Sequence, residues 1–215
     1  MARRACKIER IQKGQDNCYL VSQGANAVLV DTGKMSMRDT LFSACESCDI
    51  KTIILTHGHF DHCQNAACMA RELDVPIFMH EGDADLMRDN TVQVMQSDTF
   101  LGWVLRHKSA REFETEKIES FEVASFLKEG DTLRGMGIDA TVIELPGHTM
   151  GSIGLLVGND DLIVGDALIN VPNARKAMIY VDEVARDDSA RKIAALGSRK
   201  IWYGHGAPTE NWLAG

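Results

Sequence analysis

Residues 52–62 read Thr52-Ile53-Ile54-Leu55-Thr56-His57-Gly58-His59-Phe60-Asp61-His62, and this stretch decides the fold. Thr52–Leu55 is short, apolar and β-branched, which suits a buried strand rather than a surface helix. It runs into a tight loop opened by Gly58, and an apolar helical pattern begins at Cys63 and continues to Leu73. A buried strand, a polar loop and a helix in that order are a unit of an α/β core. The loop puts three histidines and an aspartate at the strand's C-terminal edge, where open α/β folds place their sites.

The pattern extends outward on both sides. Cys18–Ser22 and Ala25–Val30 flank Gln23-Gly24 and predict a hairpin. The second of these strands stops at the turn Asp31-Thr32-Gly33, and Ser36 is placed to cap a helix reaching about Cys48. Val75–Met79 reads as another buried strand. Residues 81–125 are rich in charge and methionine, show no clear strand, and hold a helical stretch near Phe100–His107; they predict a helical insertion. Strands resume at Asp139–Leu145, Ser152–Val157 and Asp161–Val164, followed by a helix over Val181–Leu196 and a last strand at Lys200–Tyr203. No repeat or linker interrupts the 215 residues, so residues 1–215 are expected to form one α/β domain.

Composition narrows the function. At 45% hydrophobic and 25% charged the chain is too apolar for disorder. No apolar run approaches the roughly 20 residues of a membrane span. The start, Met1-Ala-Arg-Arg-Ala-Cys6, is basic but has no apolar stretch behind it, so no signal peptide is expected. A net charge of −8 disfavours nucleic acid as a partner. Six cysteines without a secretory leader are expected to stay reduced, in the cytoplasm; Cys45-Glu-Ser-Cys48 stands alone and reads as plain thiols.

Imidazole and carboxylate groups bind Zn²⁺, Fe²⁺ or Mn²⁺, and His57-Gly-His59-Phe-Asp61-His62 offers enough of them to begin two sites. Further ligands are available at other strand ends: His148 in Pro146-Gly-His-Thr, Asp166 after Gly165, and His205 in Gly204-His-Gly206. Each follows an apolar strand and sits in a glycine-containing turn.

These residues resemble the metallo-β-lactamase superfamily, whose hallmark is HxHxDH followed by distant His, Asp and His. The resemblance runs from the early strands to Gly206, and it implies an αββα sandwich with metals at one edge. By that match His57, His59 and His148 hold one metal, Asp61, His62 and His205 hold a second, and Asp166 bridges them. Asp31 is not a ligand in the family; it either orients the loop or is a plain turn aspartate. Two cations about 3.5 Å apart lower the pKa of a shared water from about 15.7 toward about 7 and polarise the carbonyl or phosphoryl group it attacks. Asp61 would ligate, orient the nucleophile and take its proton. Cys63 reads as packing.

Asp166 occupies a position where the resistance β-lactamases carry Cys or Ser, and His59 stands where flavodiiron oxidoreductases carry Glu. The sequence is most similar to the glyoxalase II-like hydrolases of thioesters, esters and lactones. Only ten residues follow His205, so the helical domain with which full-length glyoxalase II binds glutathione is not expected. Two other activities share the motif: a persulfide dioxygenase, which holds one iron, and a phosphodiesterase. The expected cofactors are two divalent ions, zinc first, with iron and manganese also suited to the ligands. The expected partner is a small-molecule substrate.

Arg175 and Lys176 lie where relatives offer a cation to an acidic substrate group, with Tyr180 nearby; the alternative is a solvated loop. His80 and His107 fall outside the motif. Leu86, Met87, Val94, Met95, Phe100, Trp103, Val104 and Leu105 make the insertion apolar. They predict a lid over an apolar pocket, a contact between two copies, or plain cover for one face of the core.

Overall fold

The computed structural model describes residues 5–214, so the basic residues Met1–Arg4, on which the leader expectation partly rests, lie outside it. In chain order the elements are β1 (Lys7–Lys13), β2 (Asp16–Gln23), β3 (Asn26–Val30), α1 (Arg38–Cys45), β4 (Asp49–Ile54), α2 (Phe60–Cys63), α3 (Ala66–Leu73), β5 (Ile77–Met79), α4 (Phe100–Thr115) and β6 (Val123–Phe126). The second half adds β7 (Ala140–Glu144), β8 (Ile153–Val157), β9 (Asp161–Gly165), β10 (Leu168–Asn170), β11 (Ala174–Lys176), α5 (Glu183–Ala195), β12 (Lys200–Tyr203) and β13 (Thr209–Glu210).

The strands form two mixed sheets, ordered β1-β2-β3-β4-β5-β6 and β13-β12-β9-β8-β7, beside a small β10–β11 hairpin. β2 pairs antiparallel with β1 and β3, and β3, β4, β5 and β6 then run parallel. In the second sheet β9 is parallel to β12 and antiparallel to β8, which is antiparallel to β7.

Alternation along the strands produces the layers, because successive side chains point to opposite faces. On β2 and β3, Cys18, Leu20, Ala27 and Leu29 face α1 and α3, where they pack with Leu41, Ala66 and Met69. Their neighbours Tyr19, Val21, Val28 and Val30 face the other sheet, meeting Val142, Ile153, Leu155, Ile163 and Trp202. On the far side Leu162, Val164, Ile201 and Tyr203 pack under α5 through Ala190 and Ile193. Helices, sheet, sheet and helix therefore stack as the expected αββα sandwich. Both sheets are buried on two faces, which is why their strands read as near-continuous apolar runs.

Several local readings differ from the structure. β1 was not marked by the sequence: its exposed Lys7, Glu9, Gln12 and Lys13 leave little apolar signal on an edge strand. The first helix begins at Arg38 and stops at Cys45, and Ser36 sits inside a 3-10 turn instead of capping it. The helix expected over Cys63–Leu73 is two helices. Asn65 breaks it by turning its Nδ2 to donate to Thr32 O and Lys34 O, each at 2.7 Å. The 81–125 segment is not wholly helical: it ends in β6, a largely exposed edge strand beside β5. The loop expected around Arg175 is the β10–β11 hairpin.

The layout gathers one set of strand ends. β3 ends before Asp31, β4 before His57, β7 before His148, β9 before Asp166 and β12 before His205, all at one rim of the sandwich. Among the described residues no helix is long and apolar enough to cross a membrane.

Candidate metal centre

The rim brings together all seven side chains that the motif singles out. Ligand-type atoms of His57, His59 and His148 lie within 4.8 Å of one another, as do those of His57, His62 and Asp166, and those of Asp61, His62 and His205. The three groups share members, so they form one continuous cluster. Asp166 reaches across it: its Oδ2 is 3.7 Å from His148 Nε2 and 3.2 Å from His205 Nε2, and its Oδ1 is 3.7 Å from His62 Nε2. Asp61 Oδ2 stands 3.4 Å from His205 Nε2.

Four of the five imidazoles are oriented by a bond to Nδ1, which sets the tautomer. His62 Nδ1 is 2.9 Å from Asp31 Oδ2, His148 Nδ1 is 2.9 Å from the Ile179 carbonyl, and His205 Nδ1 is 3.1 Å from Asp16 Oδ1. Thr56 donates its hydroxyl to Asp31 at 2.8 Å, so its oxygen accepts from His57 Nδ1 at 3.1 Å. In all four cases Nε2 is left to face the cluster. His59 is the exception: its Nδ1 faces His148 Nε2 at 3.0 Å.

The backbone is shaped for this. Asp31 adopts a left-handed φ of 60°, and its carboxylate also accepts from Thr56 N at 2.7 Å. It therefore ties the end of β3 to the end of β4 as well as holding His62. Gly204 lies against the cluster: a Cβ there would stand 2.0 Å from Asp166 Oδ1 and 2.8 Å from His62 Cε1. Only glycine lets the chain pass. At Gly147, φ is 129° and a Cβ would stand 2.2 Å from Arg186 N, so glycine fixes the approach of the His148 loop to α5.

The donor set fits metal ions. His57 Nε2, His62 Nε2 and Asp166 Oδ1 face the cluster and are buried without a hydrogen-bond partner, a costly arrangement unless a cation satisfies them. With metal–nitrogen bonds of about 2.0–2.1 Å, two imidazole nitrogens on one tetrahedral ion stand a little over about 3 Å apart. The 3.0 Å between His59 Nδ1 and His148 Nε2 is close to that.

The electrostatics divide the cluster. Burial, reinforced by the neighbouring His62 and His148, pulls His57 well below the ordinary imidazole range. Burial and His148 lower His59 to about 3. These rings are neutral and offer lone pairs. Burial works against charge on His62 too, but Asp31 and Asp166 outweigh it and hold that ring at about 9. Burial would raise Asp61 and Asp166, yet the surrounding imidazoles hold both carboxyls well below their usual range.

Residues outside the motif complete the frame. Asp83, fully buried in the insertion, accepts from Gly58 N at 2.9 Å, Thr149 Oγ1 at 2.7 Å, Gly151 N at 2.7 Å and Gln93 Nε2 at 2.9 Å. One carboxylate thus clamps the His57–His62 loop to the His148 loop. Asn90 accepts from Phe60 N at 2.7 Å and donates to Gly58 O at 3.1 Å. The sequence carried one signal for Asp83. It follows β5, the parallel neighbour of β4, and so must emerge at the same rim.

A cavity of about 290 Å³ opens over the cluster. α4 forms part of its wall: Phe113 stacks on His59 with ring centroids 4.6 Å apart. α4 thus lines the cavity, and of the eight apolar insertion residues named from the sequence only Leu105 is part of that lining. Lys34 lines the cavity as well. Burial opposes its charge, but Asp16, Asp61 and Glu112 raise its pKa above the ordinary value.

The sequence-based substrate contacts lie elsewhere. Arg175, Lys176 and Tyr180 are absent from the cavity lining. Lys176 Nζ is paired with Asp187 at 2.7 Å, Arg175 turns to the Asn173 carbonyl, and Tyr180 is buried beneath the Arg186 guanidinium at 4.1 Å. Cys63 packs as expected, donating to His57 O at 3.2 Å, with its thiol pushed well up by burial. His80 accepts from Gly82 N, and His107 contacts Trp103 on α4.

Residues 11–205 match the sequence profile of the Metallo-beta-lactamase superfamily. The probable metallo-hydrolase YflN of Bacillus subtilis is 26% identical over 218 residues, covering 89% of this chain and 81% of that protein. Hydroxyacylglutathione hydrolase GloC of Haemophilus influenzae is 30% identical over 146 residues, 66% of this chain and 61% of GloC. The chain thus spans about three fifths of that relative. Among solved structures, TTHA1623 in a di-iron-bound form superposes with a TM-score of 0.67 at 25% identity, covering 96% of each chain. The B3 metallo-beta-lactamase BLEG-1 superposes with a TM-score of 0.70 at 21% identity, covering 95% of this chain and 94% of that one.

Proposed function

This chain belongs to the metallo-β-lactamase superfamily, and on that premise we propose that it is a binuclear metallo-hydrolase of small thioesters, esters or lactones. One observation carries the reading: a continuous His and Asp cluster, several of its buried polar atoms without partners, lies beneath a partly apolar cavity. In this reading His57, His59 and His148 hold one ion, Asp61, His62 and His205 hold the other, and Asp166 serves both. Bound divalent ions would supply Lewis acidity toward the acyl oxygen and bring water's pKa near neutrality. Zinc suits a site built from imidazole and carboxylate, and iron, the metal in the TTHA1623 structure, suits it also.

The chain's own residues do the rest. Asp61 presents its carboxylate at the cavity wall, orients the attacking water and accepts its proton. The water oxygen bonds to the acyl carbon, the C–S or C–O bond breaks, and the leaving thiolate or alkoxide takes the proton from Asp61. Phe113, stacked over His59, shields the reacting carbonyl from bulk solvent. A carboxylate at position 166 and two complete groups of ligand-type atoms support two ions over one.

The test is elemental analysis of the purified protein beside a panel of thioester, lactone, β-lactam and phosphodiester substrates. Two equivalents of metal with turnover of an acyl substrate are expected. One iron with oxygen-dependent sulfur oxidation would overturn the proposal in favour of a persulfide dioxygenase.

A further inference from the structure

Lys34 follows the Asp31-Thr32-Gly33 turn at the end of β3 and enters the cavity beside His59, Asp61 and His205. Its ammonium stands 3.4 Å from Asp16 Oδ2 and 5.7 Å over the Phe60 ring. Asp16 turns its other oxygen to His205 Nδ1 at 3.1 Å, so one carboxylate serves both a metal-site imidazole and this lysine. An ammonium has three donors, and the Lys34 side chain keeps 36% exposure. It can therefore meet an incoming anion without giving up Asp16. The rest of the lining is mixed: Lys108 and Glu112 of α4 stand among the apolar Leu105, Phe113, Ile169 and Met178. A volume of about 290 Å³ lies at the small end of the range for ligand sites.

We infer that Lys34 is the specificity-determining residue of this site, receiving a carboxylate carried by a small acyl substrate whose hydrocarbon body lies along the apolar part of the lining. This rests on the hydrolase reading and names its substrate class: short acyl thioesters or esters with one free carboxylate. Pairing a partly buried ammonium with a carboxylate favours the acid over its neutral isostere, because the donors left free by Asp16 then meet a charged acceptor instead of a neutral one.

The experiment compares a glutaryl monothioester with its methyl ester on the metal-loaded full chain, for the wild type, Lys34→Met and Lys34→Arg. The wild type is expected to prefer the acid by about tenfold in kcat/KM, carried by KM. Lys34→Met should remove that preference and Lys34→Arg restore most of it, with metal stoichiometry equal in all three. If the wild type cleaves both substrates equally, or Lys34→Met leaves the preference intact, the assignment is wrong. If Lys34→Met loses metal, Lys34 acts through Asp16 and His205 and the assignment is again wrong. A wild type that cleaves no acyl substrate on any panel removes the hydrolase reading and the Lys34 assignment with it.

Discussion

Replacing Asp83 by Asn tests whether the centre is held by a buried clamp outside its ligand set. Asp83 Oδ1 accepts from Gly151 N and Gln93 Nε2, and Oδ2 accepts from Gly58 N and Thr149 Oγ1. An amide keeps one oxygen, and its NH2 must face donors on the other side. Whichever way it turns, a backbone N–H, of Gly58 or of Gly151, is left unpaired in a fully buried setting. An unsatisfied buried donor costs about 1–3 kcal/mol, and each bond to a charged acceptor is worth about 1.5–3 kcal/mol. We take about 3 kcal/mol for the substitution. In a protein of this size that corresponds to a drop in Tm of about 6–12 °C. Because the clamp joins the loops carrying His57 and His148, metal affinity should fall by about 10–100-fold, as for other residues that orient ligands. The assay is thermal unfolding of chelator-treated protein, followed by a competition titration with a zinc indicator. A Tm within about 2 °C of wild type together with unchanged affinity would refute the reasoning.

Asp61→Asn should keep the fold, judged by circular dichroism, while lowering kcat by about 10²–10⁴-fold; near-wild-type turnover would take Asp61 out of the chemistry. Asp166→Ala should reduce metal content below two equivalents by elemental analysis, since its carboxylate faces imidazoles of both groups. Chelation should abolish activity and lower Tm, and adding back a divalent ion should restore both. Phe113→Ala removes a largely buried ring stacked on His59. It should cost about 3 kcal/mol, read as a fall in Tm of about 6–12 °C.

The layered core was legible because both sheets are buried on two faces. Runs such as Ile53–Leu55 and Ile153–Val157 therefore stand out from their polar flanks. The ligand-type cluster was legible for a related reason: each member directly follows such a run, and strand ends that share a rim bring distant positions together. What the sequence concealed lies at exposed edges and in side-chain direction. β1 carries charge on its exposed positions and β6 is only four residues, Val123–Phe126, so neither shows an apolar run. The break between α2 and α3 depends on Asn65 bonding to carbonyls about 30 residues earlier, which no local pattern announces. Lys176 and Lys34 are both lysines in loop-like surroundings. Only the three-dimensional placement of Asp187 beside one, and of the cavity beside the other, separates a lysine paired away from the site from one that lines it.

Crystals soaked in a zinc salt and measured above and below the zinc absorption edge test the central claim most directly. Two anomalous peaks are expected, one among His57, His59 and His148 and one among Asp61, His62 and His205, with Asp166 touching both. A single peak confined to one group, or none at the rim, would contradict it.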